Sequence, residues 1–116
     1  MGNRRSAPTV LVVLVTCPSL AVGRRLATAL VTRHLAACVN LVPRVESLFW
    51  WKAKMERCRE TLLIMKTTRA RFASLKQAVI RLHPYDVPEV LALTVSDGHR
   101  PYLAWVEGAV TLGKRL

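Results

Sequence analysis

The chain has 116 residues, 52% of them hydrophobic, and 18 basic against 7 acidic side chains give it a formal charge of +11. That length holds one hydrophobic core, and the apolar content excludes disordered and collagen-like classes. No apolar run approaches the roughly 20 residues of a membrane-spanning helix. Cys17, Cys38 and Cys58, with no C-x-x-C pair, suit a reduced cytoplasmic protein better than a disulfide scaffold or a zinc ribbon.

Residues 1–8 read as a basic leader before a single domain over 9–112, with 113–116 a short basic tail. Two targeting patterns overlap the leader. Arg4-Arg5, the apolar Val10–Val15 and Cys17 together outline a signal peptide ending at a lipid-modified cysteine. A valine-rich run followed by Pro18 fits a buried strand better. Met1-Gly2 with Ser6 matches the short myristoylation pattern on Gly2, set against a plain frayed terminus.

Val10–Val15 predicts a first strand, stopped by Pro18, after which Ser19 caps a helix over Leu20–Leu35. Its stripe of Val22, Leu26, Ala29 and Leu30 opposes Arg24, Arg25, Thr28, Thr32 and Arg33. Val39–Val45, interrupted by Pro43, and Leu48–Trp51 predict one long strand with a bend, because proline removes a ladder donor. Lys52-Ala53 predicts the turn, and Met55–Thr67 the return arm. A second helix spans Arg71–Leu82 and ends before His83-Pro84. Val90–Val95 is the fourth strand, and Pro101 opens a last helix closed by Gly113.

This β-α-β-β-α-β order with a terminal helix predicts an α+β, ferredoxin-like sandwich with helices on one face of the sheet and an extended central hairpin. The hairpin arms are longer than the outer strands can pair with, and long unpaired edges invite aggregation. Phe49, Trp50 and Trp51 near the tip point alternately to opposite faces, so one chain cannot bury them all. Strand addition between copies is the economical solution.

The stretches Leu35-Ala36-Ala37-Cys38-Val39-Asn40, Ser47-Leu48-Phe49-Trp50-Trp51-Lys52-Ala53-Lys54, Glu60 to Thr67, His83-Pro84-Tyr85-Asp86-Val87-Pro88-Glu89 and Tyr102-Leu103-Ala104-Trp105 resemble the CutA family of divalent-cation tolerance proteins. The resemblance implies a non-enzymatic homotrimer whose hairpins pair between subunits, a role in metal tolerance, and binding of copper(II) or another divalent cation with no obligatory cofactor. Ala53 stands where the family usually has the turn glycine, and Cys17 sits beside the position where some members carry a copper-binding cysteine.

On this basis His83 and Cys17 are the candidate metal ligands, since histidine, cysteine and carboxylate suit copper or zinc. The competing role for His83 is hydrogen bonding at a helix C-terminus. Lys54, Glu60, Lys66, Tyr85 and Glu89 are candidates for a pocket between subunits, and Phe49, Trp50, Trp51 and Trp105 for the trimer interface, the tryptophans as core or interface anchors. His34 and His99 read as surface positions, and Cys38 as a small buried hydrophobe. Cys58, between Arg57 and Arg59, is placed to have a lowered thiol pKa.

No P-loop, Rossmann glycine pattern or serine elbow is present, and no base pairs with a nucleophile at a recognisable spacing. The alternative function is a PII-like module that binds anions or nucleotides, or a weak nucleic-acid binder. Arg24, Arg57, Arg81 and Arg115 fall on different elements, so the basic excess reads as a solvated surface and nucleic acid as an improbable partner.

Overall fold

β-Branched residues dictate the first element, an eight-residue strand β1 (Val10–Cys17) that runs to the proline predicted to stop it. The structure is a computed structural model that describes residues 9–111. The leader 1–8 with Gly2, the tail 113–116 and the helix closure at Gly113 lie outside the described residues. The Ser19 hydroxyl accepts the Val22 amide at 3.2 Å and starts α1 (Leu20–Thr32).

α1 ends earlier than the apolar spacing predicts. His34 takes a left-handed φ of 59°, the His34 amide donates to the Val31 carbonyl and the Leu35 amide to the Leu30 carbonyl. This is a Schellman ending, with buried Leu30 and Leu35 as its hydrophobic pair. The His34 ring then holds the Ala109 carbonyl from Nδ1 at 3.0 Å, tying this corner to the last helix. His34 and His99 are exposed, as expected.

β2 (Cys38–Trp51) and β3 (Lys54–Thr68) form the long hairpin. The bend predicted at Pro43 is a register shift between Val42 and Val45, with Arg44 at φ 60° as the extra residue. Lys52 and Ala53 both have positive φ, 52° and 66°, the two-residue turn whose twist matches a hairpin. α2 (Arg69–Leu82), β4 (Leu91–Thr94) and α3 (Arg100–Val110) complete the chain.

The sheet order is β2-β3-β1-β4 and each pair is antiparallel, the ferredoxin-like arrangement. α1 and α2 cover one face. Val13, Val15, Leu63 and Met65 from the strands meet Leu26, Leu30, Leu75 and Val79 from the helices. Gly23 permits this approach, because a Cβ there would lie 3.3 Å from Cys17 Sγ and from Leu41 and Leu63. α3 covers one end of the other face, where the Tyr102 hydroxyl lies 3.8 Å from Cys38 Sγ. Cys38 is therefore half-buried with a polar neighbour rather than a core hydrophobe.

Much of that second face stays open. Asn40, Ile64, Leu14 and Leu91 stand opposite one another across all four strands, and Leu91 and Leu93 are 54% and 51% exposed. Trp105 is half exposed and Trp50 is 76% exposed, while Phe49 and Trp51 are also open. Within one chain, then, none of these aromatics belongs to the core. β1 pairs no further along β3 than Thr61, so residues 45–51 and 54–60 project as a two-stranded ribbon. The ribbon stretches the molecule to 54 × 28 × 22 Å and its radius of gyration to 15.6 Å, against about 13 Å for a compact chain of this size.

Candidate functional site

The ribbon leaves the sheet at Glu60, the first β3 residue beyond the reach of β1. Strand alternation puts Glu60, Cys58 and Glu56 on the same face as Leu62 and Ile64, so this position adjoins the open face of the sheet. The segment after α2, stiffened by Pro84 and Pro88, folds against it. Tyr85 donates its hydroxyl to Glu60 Oε2 at 2.8 Å, and Glu60 is only 7% exposed. Burial of Tyr85 and its bond to the Glu60 carboxylate push the phenol pKa well above the ordinary range. Thr16 Oγ1 lies 3.5 Å from Glu89 Oε1 and fixes the far end of the segment.

Between ribbon and segment runs a groove of about 950 Å³ walled by Phe49, Trp51 and Tyr85. Glu46, Glu56, Glu60, Asp86 and Glu89 all line it. These are five of the 7 acidic residues of a chain whose net charge is +11. Arg57 is the cation in the lining, and its 3.6 Å pair with Glu46 joins two largely exposed side chains, which is a weak attachment. Field lines from several carboxylates in one concave site raise the local concentration of cations.

His83 lies behind this groove, 7% exposed. Its Nε2 donates to the Thr16 carbonyl at 2.8 Å, and its Nδ1 accepts the Tyr85 amide at 3.1 Å. The ring also packs on Tyr85 with centroids 4.7 Å apart. Both ring nitrogens are thus engaged, and the histidine sets the path of the segment. Cys17 is fully buried, and burial raises its thiol pKa above the ordinary value. Neither His83 nor Cys17 lines the groove, and among the described residues no three His, Cys, Asp or Glu side chains form a cluster that would hold a metal.

Of the pocket candidates, the fold brings Glu60, Tyr85 and Glu89 together and leaves the two lysines out. Lys54 lies at the ribbon tip opposite Trp51. Lys66 lies near the other end of β3, where its ammonium donates to Asn40 Oδ1. At about 3.3 Å per residue, some 40 Å of strand separates them. The expected lowering of the Cys58 thiol pKa is overturned, since burial raises it and Glu60 and Glu56 add to the effect. The flanking arginines alternate to the opposite face of the strand, which also carries Glu46, the partner of Arg59 in register and of Arg57 by side chain.

Glu46, Glu56 and Asp86 were not among the candidate pocket residues, although Asp86 lies in the His83–Glu89 motif. For Glu56 the signal was nevertheless present. Counting outward from Lys52-Ala53 puts Glu56 opposite Phe49 and Cys58 opposite Ser47, on one face of the ribbon.

The family model described as CutA1 divalent ion tolerance protein matches residues 11–109. The divalent-cation tolerance protein CutA of Thermus thermophilus is 48% identical over 95 residues, 82% of this chain and 92% of that one. The chloroplastic protein CutA 1 of rice is 43% identical over 99 residues, which are 85% of this chain and 56% of the longer rice protein. The solved structure of the divalent cation tolerance protein from Thermus thermophilus superposes with a TM-score of 0.86 at 45% identity, covering 88% of this chain and 99% of that one. No helix among the described residues is long and apolar enough to cross a membrane.

Proposed function

Because this chain belongs to the CutA1 family of divalent ion tolerance proteins, we propose that it serves tolerance to divalent cations as a non-enzymatic cytoplasmic homotrimer that collects hydrated cations at its carboxylate groove. The observation that carries this reading is the gathering of Glu56, Glu60, Asp86 and Glu89 in one groove of an otherwise basic chain, with Glu46 in its lining from the ribbon face that carries Arg57. Carboxylates and retained water suit divalent ions in general, and at a given site copper(II) binds most tightly of the first-row series. With no preformed three-ligand cluster among the described residues, such binding is weak and leaves water on the ion. The same carboxylates repel nucleotides and other anions, which disfavours a PII-like use of this groove.

Assembly rests on two observations. The projecting ribbon is a two-stranded piece that is marginal by itself. It also adjoins an open sheet face bearing Leu91 and Leu93, and Trp105 is half exposed on α3. Pairing of ribbons between copies would cover both, and the groove would then lie at a subunit boundary. Sedimentation equilibrium at micromolar concentration should give three times the chain mass, and Trp51→Ala should shift it toward monomer. A stable wild-type monomer would refute the assembly. Copper(II) titration of Glu46→Gln/Glu56→Gln/Glu89→Gln should show at least tenfold weaker binding than wild type. Undiminished binding in that variant, with loss in His83→Ala, would move the site to His83.

A further inference from the structure

Four of the arginines that look scattered along the chain line two adjoining grooves. α1 and α2 carry no acidic residue, whereas Glu46, Glu56, Glu60, Asp86 and Glu89 line the ribbon groove. The remaining acids, Asp97 and Glu107, are hydrogen-bonded to Gly98 and Thr9. The helical layer is therefore purely cationic.

Two grooves follow the seam between α1 and α2. One, of about 630 Å³, is lined by Arg24, Arg25 and Arg33 with Thr28, Thr32 and Leu82. The other, of about 400 Å³, is lined by Arg33 and Arg81 with Ser74 and Gln77. They meet at Arg33. All four arginines are exposed, and the Arg57–Glu46 ion pair lies elsewhere, on the ribbon.

We infer that the α1–α2 seam is a sequence-independent docking surface for the phosphate backbone of duplex nucleic acid. Charge complementarity is the first reason: planar guanidinium forks bind phosphate oxygens in pairs. The second is the lining between them, because hydroxyl and amide side chains such as Thr28, Thr32, Ser74 and Gln77 donate to phosphates without adding counter-charge. Dimensions are the third. From Arg25 to Arg33 the helix rises about 12 Å, the length over which one strand of a duplex places about three to four phosphates. A concave seam suits a rod better than a flat bilayer. No aromatic side chain lines it, so nothing there stacks on the bases of a single strand.

The test compares two variants of equal charge. Arg25→Gln/Arg33→Gln/Arg81→Gln empties the seam, and Arg44→Gln/Arg59→Gln/Arg100→Gln removes the same charge from exposed positions outside it. Binding to a labelled DNA duplex of about 30 base pairs is followed by anisotropy between about 0.05 and 0.3 M KCl. Wild type should bind with a log–log salt slope of about −3 to −4 per occupied seam. The seam variant should bind at least tenfold more weakly with a slope shallower by about 2 to 3. The control variant should change both far less, with equal thermal midpoints showing that both variants are folded. Equal losses in both variants would reduce the effect to net charge and overturn the inference. So would absence of duplex binding by wild type at about 0.05 M KCl, or binding to phosphatidylserine vesicles in preference to duplex.

Discussion

Replacing Tyr85 by phenylalanine removes one oxygen and leaves the ring packed on His83. The Glu60 carboxylate, 7% exposed, then loses the donor that holds it at 2.8 Å. A hydrogen bond to a charged group contributes about 1.5–3 kcal/mol net. Tyr85 is itself half-buried, so water replaces part of the bond and the expected loss is about 1–2 kcal/mol. Urea unfolding at neutral pH and one fixed protein concentration measures it. The pH dependence supplies a second readout. The folded state raises the Tyr85 pKa above its ordinary 10.0, so the unfolded chain loses this proton first. The resulting stabilisation is complete below about pH 10 and declines as pH rises further. Cys17 and Cys58 act in the same direction from their ordinary value of 9.0, and they remain in the variant. Tyr85→Phe should therefore be less stable at neutral pH and lose less additional stability above about pH 10 than wild type. A variant within about 0.3 kcal/mol of wild type, with an unchanged alkaline slope, would refute the role given to this bond.

Ala53→Gly should stabilise the protein by about 0.5–1 kcal/mol in urea unfolding. A left-handed alanine costs about 1–2 kcal/mol, and the freer unfolded glycine returns about 0.4–1 of it. Cys17, fully buried with a raised pKa, should react with a disulfide reagent only on unfolding. Cys58, half-buried on the ribbon, should react in the native protein more slowly than a free cysteine; single Cys→Ser variants followed by absorbance assign each rate.

The element order and the ferredoxin-like sheet were legible because the periods were unambiguous: valine after valine in β1, an apolar stripe from Val22 to Leu30, proline after His83. The end of α1 was not, because His34 occupies a left-handed site where glycine would have announced the stop. Pro43 marked the bend, yet nothing in the sequence showed that Arg44 would absorb it with a positive φ. Half of the site was legible through Glu60, Tyr85 and Glu89. Glu46, Glu56 and Asp86 were not, because they become neighbours only when the ribbon and the segment after α2 close on each other. Within one chain Lys54 and Lys66 stand apart, because one strand holds both and its length separates them. That Arg33 and Arg81 line one groove was not legible either, because helix packing rather than sequence proximity brings them together.

Calorimetric titration of metal-free protein with copper(II), at neutral pH and about 0.15 M KCl, tests the cation-collecting groove most directly. Wild type should bind saturably, Glu46→Gln/Glu56→Gln/Glu89→Gln at least tenfold more weakly, and His83→Ala with an affinity close to that of wild type. No saturable copper(II) binding, or equal affinity in wild type and the carboxylate variant, would contradict the cation-collecting groove.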